Sequence, residues 1–264
     1  MLLATALVAC GGSSAPATPV ATHRVLASSE LDWRALNPAR GDASPRAADL
    51  WGDRAQEGAT GFLVRFVDGF ASPPHIHNVA YRAVVIRGLI YNGEPDGERA
   101  WMPPGSFWTQ PAGGAHITAA RGEEVVAYVE IDEGPYLVRP VADAFDDGAS
   151  PSNVPASRIP WRDGEAGRVA ALWEASGNTG RMVALSGGAA AGLRATRAHA
   201  VVVSGRVALR WSGDAEAQSI DPGSHFAWTG PGPDVGCASR RDCRLYVRSE
   251  GHVTLTVSPT ALGR

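Results

Sequence analysis

The chain contains no lysine. Its 24 basic residues are all arginine, and 27 acidic residues leave a net charge of −3. The arginines form no extended run, which excludes the clustered positive charge of a nucleic-acid-binding surface, so we expect no nucleic-acid partner. Apolar residues at helical spacing are also scarce, whereas 31 glycines and 19 prolines favour turns. With 264 residues, this composition predicts an all-β architecture large enough for two domains.

Cysteine is nearly absent, with three residues in the whole chain. Cys237 and Cys243 lie close together, and no histidine or further cysteine stands beside them in sequence to complete a metal site. We therefore predict a disulfide between them, which an oxidising compartment would allow. Closing a loop of this length stabilises a fold by about 2 kcal/mol in the loop-entropy model.

The amino-terminal apolar stretch, residues 1–9, is too short to span a bilayer as a helix, and it lacks a positively charged start. The segment Leu7-Val8-Ala9-Cys10 resembles the lipobox of bacterial lipoproteins, whose cysteine is acylated after cleavage. We predict an upstream start codon or a minimal export signal, lipidation at Cys10, and a flexible tether over residues 11–28. The expected location is the bacterial cell envelope, as a periplasmic lipoprotein whose membrane contact is the lipid anchor. The alternative is a cytoplasmic protein with a frayed apolar end.

What the chain does have is three histidines at informative spacing. His75 and His77 are two positions apart, so a β-strand places both side chains on one face. His116 follows the turn-forming residues 111–114. Imidazole is a common ligand of transition metals, and a three-histidine site leaves coordination positions open, as catalytic sites do. We predict that these three side chains bind one divalent metal ion (Fe, Zn, Mn, Ni or Cu).

The same residues resemble the two motifs of the cupin superfamily. The first motif, G-x5-H-x-H-x(3,4)-E-x6-G, is matched by Gly69, His75, His77 and Gly88, and the second, G-x5-P-x-G-x2-H-x3-N, by Gly105, Pro111, Gly113 and His116. Tyr81 stands at the position of the glutamate ligand in the family, and Ala120 at that of its asparagine. The resemblance implies a double-stranded β-helix barrel of jelly-roll type, with the metal inside and three of the four usual ligands.

The sequences of residues 61–66, 72–78 and 105–113 also resemble those of an uncharacterised family of two-cupin proteins. That likeness implies a fold and a site, but no reaction. At the site, Tyr81 has three possible roles: a phenol ligand, a catalytic group that orients substrate or donates a proton, or an aromatic side chain that fills the space of the missing carboxylate. Gln110 either approaches the metal or belongs to the turn and the pocket wall.

The chain also repeats itself. Residues 46–51 recur as residues 168–173, residues 81–88 correspond to 198–205, and residues 105–109 to 223–229. Two copies of one barrel are the simplest explanation. We predict an N-terminal cupin with the metal site over residues 29–150 and a degenerate C-terminal cupin over residues 151–264, preceded by the signal and tether of residues 1–28.

The second copy has lost its ligands, because Gly192 and Arg194 occupy the positions of the first two histidines. His199 and His225 do not keep the motif spacing, so we expect them on the surface or in the core. Arg194 could also bind an anion together with Arg197. We expect a structural role for this barrel, either packing against the first barrel or forming a homodimer.

Two functions follow from this pattern. The first is a non-haem metal-dependent enzyme, dioxygenase-like, that acts on a small organic molecule through the three-histidine site, with Tyr81 orienting substrate or shuttling a proton. The alternative is a ligand-binding or sensing lipoprotein of the cell envelope with no catalytic activity. A third reading is a barrel without metal, in which the histidines are hydrogen-bonded in a pocket.

Overall fold

The computed structural model describes residues 22–258 and Leu262. The apolar stretch of residues 1–9 and the predicted lipidation site Cys10 lie outside the described residues. The described chain is built almost entirely of β-strands, with four short 3-10 helices at Ser28–Glu30, Pro38–Ala43, Val141–Asp143 and Ala156–Arg158. None of its helices is long and apolar enough to cross a membrane. The all-β class and the two tandem barrels predicted from the sequence are confirmed.

The first barrel contains nine strands. They are β2 (Arg34–Ala35), β3 (Arg46–Trp51), β4 (Thr60–Phe66), β5 (His75–His77), β6 (Tyr81–Gly93), β7 (Phe107–Gln110), β8 (Ile117–Ile131), β9 (Val138–Pro140) and β10 (Ser152–Val154). Seven of them form one antiparallel sheet in the order β10-β7-β6-β8-β4-β3-β2, and β5 pairs with β9.

The second barrel contains the remaining strands of the described chain. They are β1 (Thr22–Leu26), β11 (Arg162–Gly164), β12 (Gly167–Ala175), β13 (Asn178–Leu185), β14 (Ala190–Arg194), β15 (Arg197–Ser204), β16 (Val207–Arg210), β17 (Gln218–Ile220), β18 (His225–Thr229), β19 (Asp234–Cys237), β20 (Cys243–Glu250) and β21 (Thr254–Val257). They form a seven-stranded sheet, β1-β18-β15-β20-β13-β12-β11, and a five-stranded sheet, β17-β16-β19-β14-β21.

Two strands join the barrel of the other half of the chain. β1 pairs with β18 in the second barrel, and β10 pairs with β7 in the first. Each exchange covers the edge of a sheet, where unpaired backbone groups would otherwise be exposed. The tether predicted over residues 11–28 is therefore wrong for residues 22–28, which form β1 and begin a 3-10 helix. Residues 152–154, assigned to the second barrel by the predicted boundary, pair with the first.

Alternation along the central strands builds three apolar clusters. On β6, Ala83 and Val85 point into the first barrel, whereas Val84 and Ile86 point into the space between the barrels. On β15, Val202 lies inside the second barrel and Val201 between the barrels. The strands are therefore apolar on both faces, because each face is covered by other elements. The second barrel packs against the first through this shared cluster, which was one of its two predicted roles.

A buried polar network crosses the contact between the barrels and follows the sequence repeat. The indole of Trp51 donates to the Tyr128 hydroxyl (3.1 Å), and that of Trp173 donates to the Tyr246 hydroxyl (2.7 Å). Both hydroxyls donate to Glu130, at 3.0 and 2.6 Å. Burial raises the pKa of Glu130, and the positive charge of Arg248 opposes that rise. In the second copy of the repeat, Arg248 stands at the position that Glu130 has in the first copy. The two equivalent positions therefore carry opposite charges and lie close together at the contact between the barrels.

The predicted disulfide is present. Cys237, at the end of β19, is bonded to Cys243, at the start of β20, with their Cα atoms 5.4 Å apart. Both residues are buried. The disulfide links the end of β19 to the start of β20. In the repeat, these two strands correspond to the two halves of the continuous strand β8 in the first barrel.

Candidate metal centre

The backbone of three segments brings the predicted ligands together. His75 and His116 are cross-strand partners whose N–H and C=O groups exchange two hydrogen bonds of 3.0 Å. His77 is the third residue of β5, and its carbonyl accepts from the N–H of Gly113 at 2.8 Å. Gly113 has φ of 71°, a conformation that favours glycine, and an added Cβ there would clash with Phe145. The Pro-x-Gly turn of the second motif is thus required to place His116.

The three imidazoles form one buried cluster. One ring nitrogen from each of His75, His77 and His116 is placed to act as a metal ligand, and these three atoms lie within 4.8 Å of one another. All three residues are buried, with His116 only 1% exposed. The ring centroids are separated by 4.4 to 5.3 Å. Among the described residues, this is the one group of three or more His, Cys, Asp and Glu side chains with the spacing of a metal site.

Each ring is oriented by a hydrogen bond from its Nδ1 atom to a backbone carbonyl. The acceptors are the carbonyl oxygens of Pro73 for His75 (2.9 Å), Leu137 for His77 (3.2 Å) and Gly114 for His116 (2.9 Å). Because a carbonyl oxygen only accepts, each Nδ1 must carry the hydrogen, and each Nε2 atom has the lone pair that can accept a hydrogen bond or bind a metal. This arrangement around a metal-binding histidine fixes its tautomer and its orientation.

The cluster is held in the neutral form. Burial, with a smaller contribution from the ring of His75, lowers the pKa of His116 to about 4. Burial, with smaller contributions from the rings of His116 and His75, lowers the pKa of His77 well below its ordinary value. Burial also lowers the pKa of His75. Metal ions bind neutral imidazole, so the three side chains are in the ligating form at neutral pH without first losing protons.

The residues fit a transition-metal ion. Nitrogen ligands lie about 2.0–2.1 Å from zinc, so two nitrogens of a tetrahedral site are about 3.4 Å apart. The nitrogens of the cluster lie within 4.8 Å of one another, so binding one ion requires them to approach by up to about 1.4 Å. Three imidazoles without a carboxylate or thiolate suit Zn, Cu, Fe and Ni, and they leave room for other ligands of the ion.

Tyr81 lies at the site, as its position in the first motif predicts. Its hydroxyl donates to Oδ1 of Asn92 at 3.0 Å and lies 3.4 Å from Nε2 of His116. Burial raises the pKa of Tyr81 far above its ordinary value, so the side chain is a neutral phenol. Its catalytic role stays a prediction. Gln110 accepts from Asn92 at 2.9 Å and donates to the carbonyl of Gly114, which places it at the turn before His116.

Tyr136 is the site residue that the sequence did not reveal. Its ring stacks on His77 with centroids 4.3 Å apart, and its hydroxyl lies 3.1 Å from Nε2 of that histidine. It belongs to the loop between β8 and β9, outside both motifs, and reaches the cluster only because the loop folds back over the barrel. The Asn92 side chain was missed for a related reason: it is the twelfth residue of a 13-residue strand, beyond the end of the first motif.

A cavity of about 810 Å³ opens beside the cluster. Among the side chains that line it are His75, His77, Tyr81 and Tyr136, so a bound molecule would lie against the imidazoles. The other lining residues are mostly apolar, among them Val64, Phe66, Phe70, Trp108, Val129 and Leu137. An apolar cleft with a few polar groups at one end is the usual form of a small-molecule site.

The second barrel has no equivalent cluster in the described residues. Arg194 donates to the carbonyls of Leu193, Gly232 and Pro233 and pairs with Asp234 at 2.8 Å. Arg197 pairs with Glu250. Neither guanidinium is available, so the anion site considered for them is not supported.

His199 and His225 of the second half lie together at the contact between the barrels. His199 and His225 are joined by a 3.1 Å hydrogen bond, and His199 stacks on Trp51 of the first barrel with ring centroids 4.3 Å apart. His225 is 1% exposed. Its burial agrees with a core role, one of the two that the sequence left open for this pair.

Comparison with known proteins gives a family and a fold. The family model described as Domain of unknown function (DUF4437) matches residues 24–256. A search of curated protein sequences gives no match. Among solved structures, the chain is similar to a Nostoc punctiforme protein provisionally named a dioxygenase (TM-score 0.65, 15% identity, 90% of this chain and 87% of that chain).

It is also similar to two oxalate decarboxylases. One is the Lactobacillus farciminis enzyme in a formate complex (TM-score 0.59, 12% identity, 90% and 87% covered). The other is a variant of the Bacillus subtilis enzyme (TM-score 0.58, 13% identity, 88% and 78% covered), a protein with Mn(II) centres. At these identities the likeness establishes the cupin fold over most of the chain, and it leaves the reaction open.

Proposed function

We propose that this chain, which belongs to the DUF4437 family, a domain family of unknown function, is a metal-dependent cupin enzyme acting on a small organic molecule. One observation carries this proposal. Three buried histidines, each with its Nδ1 atom bonded to a carbonyl, bring their Nε2 atoms together beside a cavity. A backbone carbonyl that accepts from the second ring nitrogen is the usual partner of a metal-binding histidine.

The reaction is an oxidation of dioxygenase type, or else a lyase-like or hydrolytic step. Open coordination positions on the metal would permit each of these. A divalent ion held by the three histidines would supply Lewis-acid polarisation, and a redox-active ion such as iron or manganese would also supply electrons for dioxygen chemistry. The names of the similar structures, a dioxygenase and oxalate decarboxylases, support this range of reactions without selecting one.

The chain itself supplies hydrogen-bond donors around a bound molecule. The hydroxyls of Tyr136 and Tyr81 lie 3.1 and 3.4 Å from the Nε2 atoms of His77 and His116. If Nε2 of His77 held a metal, it would no longer accept a hydrogen bond, and the Tyr136 hydroxyl would be free to donate to an oxygen of the substrate. The Tyr81 hydroxyl donates to Asn92, so Tyr81 would orient the substrate rather than give up its proton.

A second candidate is a ligand-binding or sensing protein of the cell envelope without turnover. The observation that favours it is the makeup of the cluster, in which the described residues place no carboxylate that would act as a general base. Export to an oxidising compartment, with a lipid anchor at Cys10, belongs to both candidates. The Cys237–Cys243 disulfide supports export.

The first experiment measures the metal content of the purified full chain by mass spectrometry. We expect about one transition-metal ion per chain in the wild type, and none in the variant His75→Ala/His77→Ala, because three ligands are needed to retain the ion. The matched control is His23→Ala/His252→Ala, which removes two exposed histidines and should keep the metal. A wild type that stays free of metal after reconstitution would remove the basis of the proposal.

The two candidates are then separated by turnover. An enzyme of this kind consumes dioxygen or substrate with the metal-loaded wild type and loses that activity in the double histidine variant. A binding protein retains its ligand unchanged over many hours, and its affinity still depends on the metal.

A further inference from the structure

The cavity beside the histidines is large and apolar for a metal site. Its volume of about 810 Å³ lies in the upper part of the range found for pockets that enclose drug-sized ligands. Its walls include Val64, Phe66, Phe70 and Val129. A small dianion such as oxalate would leave most of this volume unfilled. The shape therefore favours a ligand with a substantial apolar body.

The exposure of the lining residues shows which end of the cavity opens to solvent. Tyr81 and Trp108 are 4% and 2% exposed, and they lie at the floor with His77. Leu36 and Val138 are 36% and 63% exposed, and they form part of the rim. The imidazoles thus lie at the inner end. An apolar rim also lets an apolar ligand enter without first crossing a charged surface.

Two arginines stand among the lining residues, and only one has a free charge. Arg54 pairs with Asp49 at 2.6 Å and is largely buried. Arg40 is exposed on the 3-10 helix Pro38–Ala43, with its guanidinium 5.4 Å from the centroid of the Phe70 ring. Within residues 22–258 no carboxylate pairs with Arg40. The rim therefore presents one uncompensated positive charge next to an aromatic wall.

We propose that the ligand of this cavity is an amphipathic monoanion of medium length. Its carboxylate lies at Arg40, its apolar body lies along Phe66, Phe70 and Val129, and its inner end lies against the imidazoles. The inference rests on the proposed function in placing that inner end at the metal cluster. The chemical class itself follows from the cavity walls and the single free arginine. It differs from the small acids named for the similar structures.

The test uses the metal-loaded full chain and three probes, namely butanoate, octanoate and 1-octanol, in titration calorimetry. Each buried methylene should tighten binding by roughly fourfold, so the four additional methylenes of octanoate, when buried, should tighten its binding roughly 250-fold relative to butanoate. Equal affinities for butanoate and octanoate would overturn the proposal.

Two arginine variants isolate the charge at the rim. Arg40→Gln should weaken octanoate by about two- to fivefold, as expected for a solvent-exposed ion pair, and should leave 1-octanol unchanged. The matched control Arg139→Gln removes an exposed arginine of β9 that does not line the cavity, and it should change neither affinity. Equal effects of the two substitutions would contradict the assignment of the carboxylate to Arg40.

Failure of this inference is distinguishable from failure of the proposed function. Metal content is measured on every sample, and octanoate is also titrated into His75→Ala/His77→Ala. Metal binding without octanoate binding would reject the ligand class and leave the metal centre in place. Octanoate binding by a wild type that takes up no metal would support the ligand class and reject the metal-dependent enzyme.

Discussion

The two barrels share a fold and differ in what fills them. In the first barrel, β6 and β7 place Tyr81 opposite Gln110, beside the histidines. At the same register in the second barrel, β15 and β18 place Ala198 opposite Trp228. The indole of Trp228 stacks with Phe226 at 5.9 Å and donates to the carbonyl of Ala195. The Tyr81–Gln110 pair lies beside a polar site, whereas the Ala198–Trp228 pair is part of an aromatic core.

This difference indicates how a duplicated barrel divides its tasks. A cavity and a cluster of neutral histidines reduce stability, because packing contacts are missing and polar groups are buried. The second barrel carries a well-filled core and a disulfide, and it contacts the first across a broad apolar cluster. We interpret it as the support that allows the first barrel to keep an open site.

The largest expected effect comes from giving the first barrel the interior of the second. In the variant Tyr81→Ala/Gln110→Trp the indole should occupy the space beside His116, and metal content should fall to background. Circular dichroism should still report a folded β protein, because the second barrel accommodates the same pair. Tyr81→Phe is the control, since it keeps the ring and should retain the metal. A double variant with full metal content would show that the pair does not distinguish the barrels.

The next effect concerns the charges that join the barrels. Arg248→Ala leaves the fully buried Glu130 without its positive partner, and breaking a buried pair in this way costs about 3–5 kcal/mol of unfolding free energy. Urea denaturation measures the loss. Arg197→Ala is the control, because its pair with Glu250 is exposed, and the expected cost is at most about 1 kcal/mol. Similar costs for both substitutions would argue against a central role for the Glu130 network.

A smaller effect is expected for the disulfide, which the first barrel lacks in the described residues. Cys237→Ser/Cys243→Ser should lower the free energy of unfolding by about 2 kcal/mol, because the unfolded chain regains the freedom that the loop closure removed. Thermal unfolding of the variant should match that of the reduced wild type. Its metal content should stay the same, since the bridge lies in the other barrel. A loss of metal would mean that the second barrel shapes the site directly.

A pH dependence is expected from the histidines between the barrels. Burial lowers the pKa of His199 to about 4, with Arg248 and Arg197 contributing. Between pH 6.5 and 4 the unfolded chain binds a proton that the folded chain does not. The contribution of His199 to stability is therefore complete above about pH 6.5 and is lost as the pH falls toward 4.

The variant His199→Gln tests this dependence. Its unfolding free energy, measured in urea from pH 7 to pH 4.5, should fall less steeply with acidification than that of the wild type. His252→Gln, which changes an exposed ring, is the control and should follow the wild-type curve. Parallel curves for His199→Gln and the wild type would show that this ring does not titrate as its burial requires.

Local patterns predicted much of the fold and part of the site. The i and i+2 spacing of His75 and His77, together with the glycine-rich turn before His116, is a short-range signal, and the structure brings those rings together. The internal repeat likewise identified the two barrels. These features depend on a few neighbouring residues, and the sequence displays them directly.

What depended on distant segments could not be predicted. Tyr136 reaches the cluster from a loop whose path is set by the closed barrel. The exchange of β1 and β10 depends on which sheet edges remain uncovered, a property of the assembled fold. His199 and His225 lie between the barrels because the faces of β15 and β18 meet the first barrel, and only the packing of both halves determines that contact.

The most direct test of the metal centre is a crystal structure of the protein reconstituted with one transition metal, with anomalous diffraction measured at its absorption edge. We predict one strong anomalous peak about 2.0–2.2 Å from the Nε2 atoms of His75, His77 and His116, with each Nδ1 still bonded to its carbonyl. A peak located elsewhere, or ligation through a Nδ1 atom, would contradict the assignment of the metal centre.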